Sequence, residues 1–192
     1  MAKLYFRYGA MNCGKTSALM QVAHNYKERE KEVVVIKSII DTKGGDCLVS
    51  RIGLTRKVDL LLEQNASVIN ELNEKMDIIN CILVDEAQFL TGEQVVDLWK
   101  ITKIHDIPVI CYGLRSDFKT NAFLGSARLM ELADELEELI TICRCGKRAK
   151  FNARKVNGEF VSDGDQVAID ETNNVTYESL CGKCYLEKVV NK

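Results

Sequence analysis

A chain of 192 residues, 46% hydrophobic and 28% charged, has the size and composition for one substantial core plus a small appendage. Its 26 basic and 28 acidic residues leave a formal charge of −2, which argues against a broad basic face for long nucleic acid. No apolar run approaches the roughly 18 residues that span a bilayer, and Met1-Ala2-Lys3 leads into a predicted strand without a signal-peptide h-region, so a cytoplasmic protein with no membrane partner is expected.

The first predicted strand, Leu4–Tyr8, feeds directly into Gly9-Ala10-Met11-Asn12-Cys13-Gly14-Lys15-Thr16, which spells G-x-x-x-x-G-K-[ST]. Leu19, Val22, Ala23 and Tyr26 then recur at helical spacing. Strand, glycine loop and helix in that order make a phosphate-binding loop. The glycines let successive backbone N–H groups converge, and the helix N-terminus adds partial positive charge. Lys15 is expected to reach the β- and γ-phosphates of a nucleoside triphosphate, and the Thr16 hydroxyl to ligate Mg²⁺.

Further apolar runs predict strands at Val33–Ile36, Ile78–Val84, Pro108–Tyr112 and Leu139–Ile142. Asn65-Ala66-Ser67 caps a short helix carrying Val68, Ile69 and Leu72. Val95, Leu98, Trp99 and Thr102 predict a second long helix, and Leu129, Leu132, Ala133 and Leu136 a third. Alternating strands and helices mean an α/β core on a mostly parallel sheet. The third strand ends in Val84-Asp85-Glu86, an acid position that in a phosphate-loop protein holds Mg²⁺ and fixes the loop Thr hydroxyl. Glu86 is then aimed into the crevice at the carboxyl edge of the sheet, where a carboxylate can accept a proton from an attacking hydroxyl or water. After the fourth strand, Leu114, Phe118 and Phe123 suit a planar ligand stacked beside the phosphates.

Helical periodicity stops after Cys143. Phe151 to Val161 alternates around Asn157-Gly158, a hairpin signal. Of the eight cysteines, Cys13, Cys47, Cys81 and Cys111 are scattered, the last two inside apolar runs where buried free thiols are expected. Cys143-Arg144-Cys145 and Cys181-Gly182-Lys183-Cys184 pair as C-x-C and C-x-x-C, a donor set for structural Zn²⁺ in a closed tetrahedral site. Two domains are expected: a nucleotide-binding α/β domain over 1–140 and a zinc-ribbon domain over 141–192.

Three other readings use parts of the same pattern, one of them a nucleotide-dependent nucleic-acid binder with the zinc ribbon as its contact. Asp85-Glu86-Ala87-Gln88 is similar to the acidic box of helicases, but such motors need a second lobe and a basic track. A nucleotide-dependent switch needs the phosphate loop but has no use for Glu86.

Taken together these residues resemble the type II thymidine kinases, and the bacterial branch in particular. The resemblance rests on the phosphate loop with Leu4-Tyr5-Phe6, on Ile40-Asp41-Thr42-Lys43, on Ser50-Arg51-Ile52-Gly53 and on Val84-Asp85-Glu86-Ala87-Gln88-Phe89. It continues in Tyr112-Gly113-Leu114-Arg115-Ser116-Asp117-Phe118 and in Tyr177-Glu178-Ser179-Leu180-Cys181. It implies a phosphate-loop domain of RecA-like type with a zinc-bearing lasso, and transfer of the γ-phosphoryl of ATP to the 5′-hydroxyl of thymidine with Glu86 as general base. Asp41, Lys43, Asp85 and Gln88 join the loop residues at the phosphates and metal. Met11, Phe89, Leu114, Phe118 and Phe123 wall the base, with Arg154, Ile169 and Tyr177 from the lasso. The resemblance also implies a homotetramer and feedback inhibition by dTTP. Lys43 stands where the family usually carries Arg, the first cysteine pair is one residue short, and Ala168-Ile169-Asp170-Glu171-Thr172 departs from the family's Gly-rich lasso.

Overall fold

The computed structural model describes residues 1–166 and 174–191. Apolar runs that the chain cannot leave in water build its centre, in the order β1 (Leu4–Gly9), α1 (Lys15–Lys27), β2 (Val33–Ser38), β3 (Cys47–Val49), β4 (Thr55–Lys57) and β5 (Leu60–Leu62). There follow α2 (Val68–Leu72), β6 (Cys81–Asp85), α3 (Gly92–Ile104), β7 (Val109–Gly113), α4 (Leu124–Leu132) and β8 (Glu135–Leu139). Six of these strands form one sheet in the order β5-β2-β6-β7-β1-β8. Every pairing in it is parallel.

Both faces of that sheet are covered, which is why its central strands read as unbroken Val/Ile/Leu runs. Val34 and Ile36 point to one side with Val68, Leu98, Ile101 and Leu129 from the helices. Val33 and Val35 point to the other with Leu19, Met20 and Ala23 of α1. Burying each such aliphatic side chain contributes roughly 1.5–3 kcal/mol. Local signals set the helix starts. Ser67 caps α2 by accepting the Asn70 N–H, and Thr91 and Gln94 form a reciprocal capping box on α3. The start of α1 differs: its N-cap is Gly14 at φ 81°, with no side chain closing the end.

The smaller C-terminal part comprises β9 (Thr141–Ile142), β10 (Arg148–Ala149), β11 (Phe151–Val156), β12 (Glu159–Val161), β13 (Val175–Leu180) and α5 (Gly182–Tyr185), followed by a π-helical turn, Leu186–Val190. Strands β12-β11-β13 make an antiparallel sheet. Its hairpin turns at Asn157 (φ 51°) and Gly158 (φ 85°), both left-handed as such a turn demands. Ala149, Ala153, Leu180, Tyr185 and Val189 form a small separate core beside Cys143 and Cys181. Cys81 and Cys111 are buried free thiols, as expected.

Three expectations are corrected. The helix expected to run through Leu136 stops at Leu132, and Leu136 belongs to β8. Leu129, Leu132, Ala133 and Leu136 happen to share helical spacing, but β1 presents an open parallel edge and the residues after Ala133 pair with it as a strand. The strand expected at Leu139–Ile142 is consequently two: Leu139 ends β8, and Thr141–Ile142 pairs with β10. The strand expected from Ile78 begins at Cys81. Strands β3, β4 and β5, of three residues each, carry too short a pattern to be read from sequence.

Candidate functional site

The carboxyl ends of β1, β6 and β7 open on one cleft of about 990 Å³, at the edge where ligands of parallel sheets bind. Its phosphate end is the loop between β1 and α1. Gly9 permits the chain's close approach there, since a Cβ would lie 2.5 Å from Cys13 Sγ and 2.6 Å from the Leu139 carbonyl. With Gly14 left-handed, the first turn of α1 presents unsatisfied N–H groups to the cleft, a ready anion site. Lys15 folds back over the loop, its Nζ donating to the Ala10 carbonyl at 3.1 Å. Met11, Asn12, Gly14, Lys15 and Thr16 line the cleft. Gly9 and Ala10 lie beneath the surface, and Cys13 is half-buried beside Lys15 Nζ at 3.7 Å.

Thr16 Oγ1 donates to Asp85 Oδ2 at 3.1 Å, joining the start of α1 to the end of β6. Asp85 Oδ1 is buried and accepts no hydrogen bond among the described residues. Burial, and after it the neighbouring Glu86 charge, pushes the Asp85 carboxyl up to about 7. An orphaned carboxylate oxygen beside a hydroxyl, facing a phosphate loop, is a donor pair for a hard divalent cation.

Glu86 lines the cleft next to this pair. Its φ of 47° places a non-glycine residue in the left-handed region, a strain of about 1–3 kcal/mol that turns the side chain out of the strand direction. Gln88 braces it: Gln88 Oε1 accepts the Leu114 N–H at 3.0 Å while its Nε2 donates to Glu86.

The far end of the cleft is apolar. Phe89, Leu114, Phe118, Phe123 and Tyr177 line it, and Phe89 and Phe123 meet edge-to-face at 6.0 Å. Arg154 is absent from the cleft wall; it lies under it, 4% exposed, with its guanidinium 3.8 Å from the Phe118 ring centre. It donates to Tyr177 Oη at 2.9 Å and to the carbonyls of Asp165 and Gln166. Arg154 thus gathers both flanks of the lasso against Phe118. Ile169 and the Ala168–Thr172 stretch lie outside the described residues. Asp41 and Lys43 line the cleft, with Ser50 and Arg51.

The four sulfurs of Cys143, Cys145, Cys181 and Cys184 lie within 4.8 Å of one another. Burial would raise the Cys143 thiol, but the backbone N–H groups of Cys145 and Cys181 outweigh it and hold it down at about 6. The backbone N–H of Cys184 likewise lowers the Cys181 thiol, and four converging sulfurs with two biased to thiolate fit a metal ion.

Several residues at the site carry no role that the sequence itself assigns. Asn152 Oδ1 accepts the Met11 N–H at 2.8 Å, and Ser179 Oγ donates to the Met11 carbonyl. These two are cross-strand partners on β11 and β13. Each looks like any polar residue of an alternating strand until the fold brings it to the phosphate loop. Asp117 and Gln166, bonded to each other at 3.1 Å, also line the cleft.

A family model described as thymidine kinase matches residues 2–185. The thymidine kinase of Haemophilus influenzae is 43% identical over 192 residues, covering 98% of both chains. That of Escherichia coli K12 is 44% identical over 191 residues, 97% of this chain and 92% of the relative. That of Streptococcus gordonii is 40% identical over 193 aligned positions, covering all of both. Among solved structures, the replication initiator DnaA bound to AMPPCP and single-stranded DNA aligns at 19% identity and a TM-score of 0.45, over 73% of this chain and 41% of that one.

Proposed function

Because the chain belongs to the thymidine kinase family, we propose that it transfers the γ-phosphoryl of ATP to the 5′-hydroxyl of thymidine, giving dTMP and ADP. The observation that carries this reading is one continuous cleft with a phosphate loop at one end, an aromatic pocket at the other, and Glu86 between them.

In this mechanism the N-terminus of α1 and Lys15 cradle the β- and γ-phosphates, while Lys43 and Arg51 face them from across the cleft. Thr16 and Asp85 would hold Mg²⁺, which when bound neutralises charge on the transferring phosphoryl group. Thymine stacks among Phe118, Phe123 and Leu114, with Met11, Phe89 and Tyr177 at its margins, leaving the 5′-hydroxyl toward Glu86. As the hydroxyl oxygen bonds the γ-phosphorus, its proton passes to the Glu86 carboxylate, and the bond to the β-phosphate oxygen breaks to release ADP. Gln88 keeps Glu86 aimed at that proton. The four cysteines would hold a structural zinc, so that residues 141–192 act as a unit covering the nucleoside and residues 1–140 as the nucleotide-binding domain. We further expect a cytoplasmic homotetramer inhibited by dTTP occupying the thymidine pocket; among the described residues no helix is long and apolar enough to cross a membrane.

The test is transfer of labelled γ-phosphate from Mg·ATP to thymidine, run beside deoxycytidine, deoxyadenosine and deoxyguanosine. Selective labelling of thymidine is expected, with turnover reduced about 10²-fold or more in Glu86→Gln while ATP still binds. No transfer to any nucleoside, with ATP binding intact, would sink the kinase reaction. Near-normal turnover of the variant would remove Glu86 as the base.

A further inference from the structure

Lys37 is the most deeply buried charged residue among those described, at 1% exposure, and no step of the mechanism above uses it. It lies on β2 directly beside Asp85 of β6 in the sheet register. The four residues before it, Val33 to Ile36, are apolar and buried, so the sheet at this point asks for another aliphatic side chain. Removing an ammonium from water costs several kcal/mol unless it is fully paired.

The chain supplies that pairing. Lys37 Nζ donates to the carbonyls of Lys43, Gly45 (3.1 Å) and Cys47 (3.5 Å), and stands 3.1 Å from Asp41 Oδ2. Asp41 Oδ1 meanwhile accepts the Lys43 N–H at 3.2 Å. All four oxygens around the ammonium thus belong to one stretch, 41–47. That stretch leads into the β3–β4 hairpin, whose two strands pair with each other and with no strand of the main sheet. Asp41, Lys43, Gly44, Ser50 and Arg51 of this segment line the same cleft as the phosphate loop. Without the ammonium, carbonyls turned inward at the base of the segment would lack donors.

We propose that Lys37 is a positioning residue: its ammonium organises the 41–47 turn as a bound cation would, and thereby holds Asp41 and the hairpin at the phosphate end of the cleft. It sets the affinity for Mg·ATP without touching the nucleotide. The proposal rests on the reading of this cleft as an ATP site.

The experiment compares wild type with Lys37→Met, which keeps length but not charge, and Lys37→Arg, which keeps charge. Equilibrium binding of Mg·ATP and of thymidine is measured separately, together with the rate of tryptic cleavage after Lys43 and Arg51. If the turn is correctly formed only a tenth of the time in Lys37→Met, its Mg·ATP Kd rises about tenfold, thymidine Kd stays within about twofold, and cleavage after Lys43 and Arg51 accelerates selectively. Lys37→Arg recovers part of the ATP affinity. Should Lys37→Met fail to fold, Lys37→Gln, with an N–H donor but no charge, is read the same way. Unchanged Mg·ATP affinity overturns the proposal, and so does an equal loss for both ligands, which marks a general fault in folding. A wild-type protein that binds ATP but not thymidine defeats the thymidine reading and leaves this one standing, since the ATP and protease readouts do not involve the nucleoside.

Discussion

Asp85 shows how a single residue ties chemistry to stability. Its carboxyl is raised to about 7 by burial and by Glu86, against about 3.9 in an unfolded chain. The folded state therefore binds the proton more tightly than the unfolded state between those values. Stability contributed by the protonated acid is present at low pH and is lost as pH rises from about 4 to about 7. Asp85→Asn should accordingly raise the Tm of the nucleotide-free protein at pH 8, with the gain shrinking as pH falls toward 4, while Mg²⁺-dependent turnover collapses. A cation at Asp85 needs the ionised form, so Mg·ATP affinity should weaken as pH drops below about 7. Scanning calorimetry across that pH range checks the first expectation; an Asn variant no more stable than wild type at pH 8 would show the buried charge to be satisfied elsewhere.

At the scale of elements, helix ends divide into closed and open. Thr91 and Gln94 seal the start of α3 with reciprocal bonds at 3.2 and 3.0 Å. Gln94 Nε2 also reaches the carbonyls of Glu63 and Ala66. Thr91→Ala should cost about 1 kcal/mol of stability with kinetics unchanged, measured as a shift of the urea midpoint at constant slope. The start of α1 has no side-chain cap, which leaves its N–H groups open to an anion, and an added Ser or Asp at that position would offer them the protein's own oxygen instead. The same contrast explains which elements could be read from sequence. The G-x-x-x-x-G-K-[ST] loop, the Ser67 cap and the Asn157-Gly158 turn are local devices, whose geometry is set within a few residues. Strand β8, Glu-Leu-Glu-Glu-Leu, consists of good helix formers and is extended because β1 offers it an edge; nothing local announces that.

Across the whole molecule, Met11 is the hinge pin between the phosphate loop and the C-terminal sheet. Asn152 and Ser179 bond its N–H and its carbonyl from adjacent strands. The small core around Cys143 and Cys181 that supports those strands has few apolar residues of its own, so a metal ion held there would contribute directly to folding free energy. Stripping the metal with a strong chelator should abolish thymidine binding and weaken Mg·ATP binding, while far-UV circular dichroism retains the signal of the main sheet and helices. Asn152→Ala should weaken Mg·ATP binding without releasing metal. Unaltered ATP affinity after complete metal removal would uncouple the two parts and leave Met11 an ordinary contact.

The phosphate loop, the acid pair Asp85-Glu86, the parallel α/β core and four cysteines spaced so that they could hold a metal ion were all readable in the amino-acid order alone. The loop, the acid pair and each cysteine pair need particular residue types at short fixed spacing, the core needs apolar periodicity, and both survive in the one-dimensional text. The tertiary structure alone decided that Asn152 and Ser179 grip Met11, that Arg154 works beneath Phe118 rather than in the cleft, and that Lys37 gathers the 41–47 turn. Those roles belong to buried polar groups whose partners come from other strands or from a folded-back loop. A buried polar side chain is written in sequence with the same letter as a solvated one, and only the packing that removes its water dictates which partner it must find.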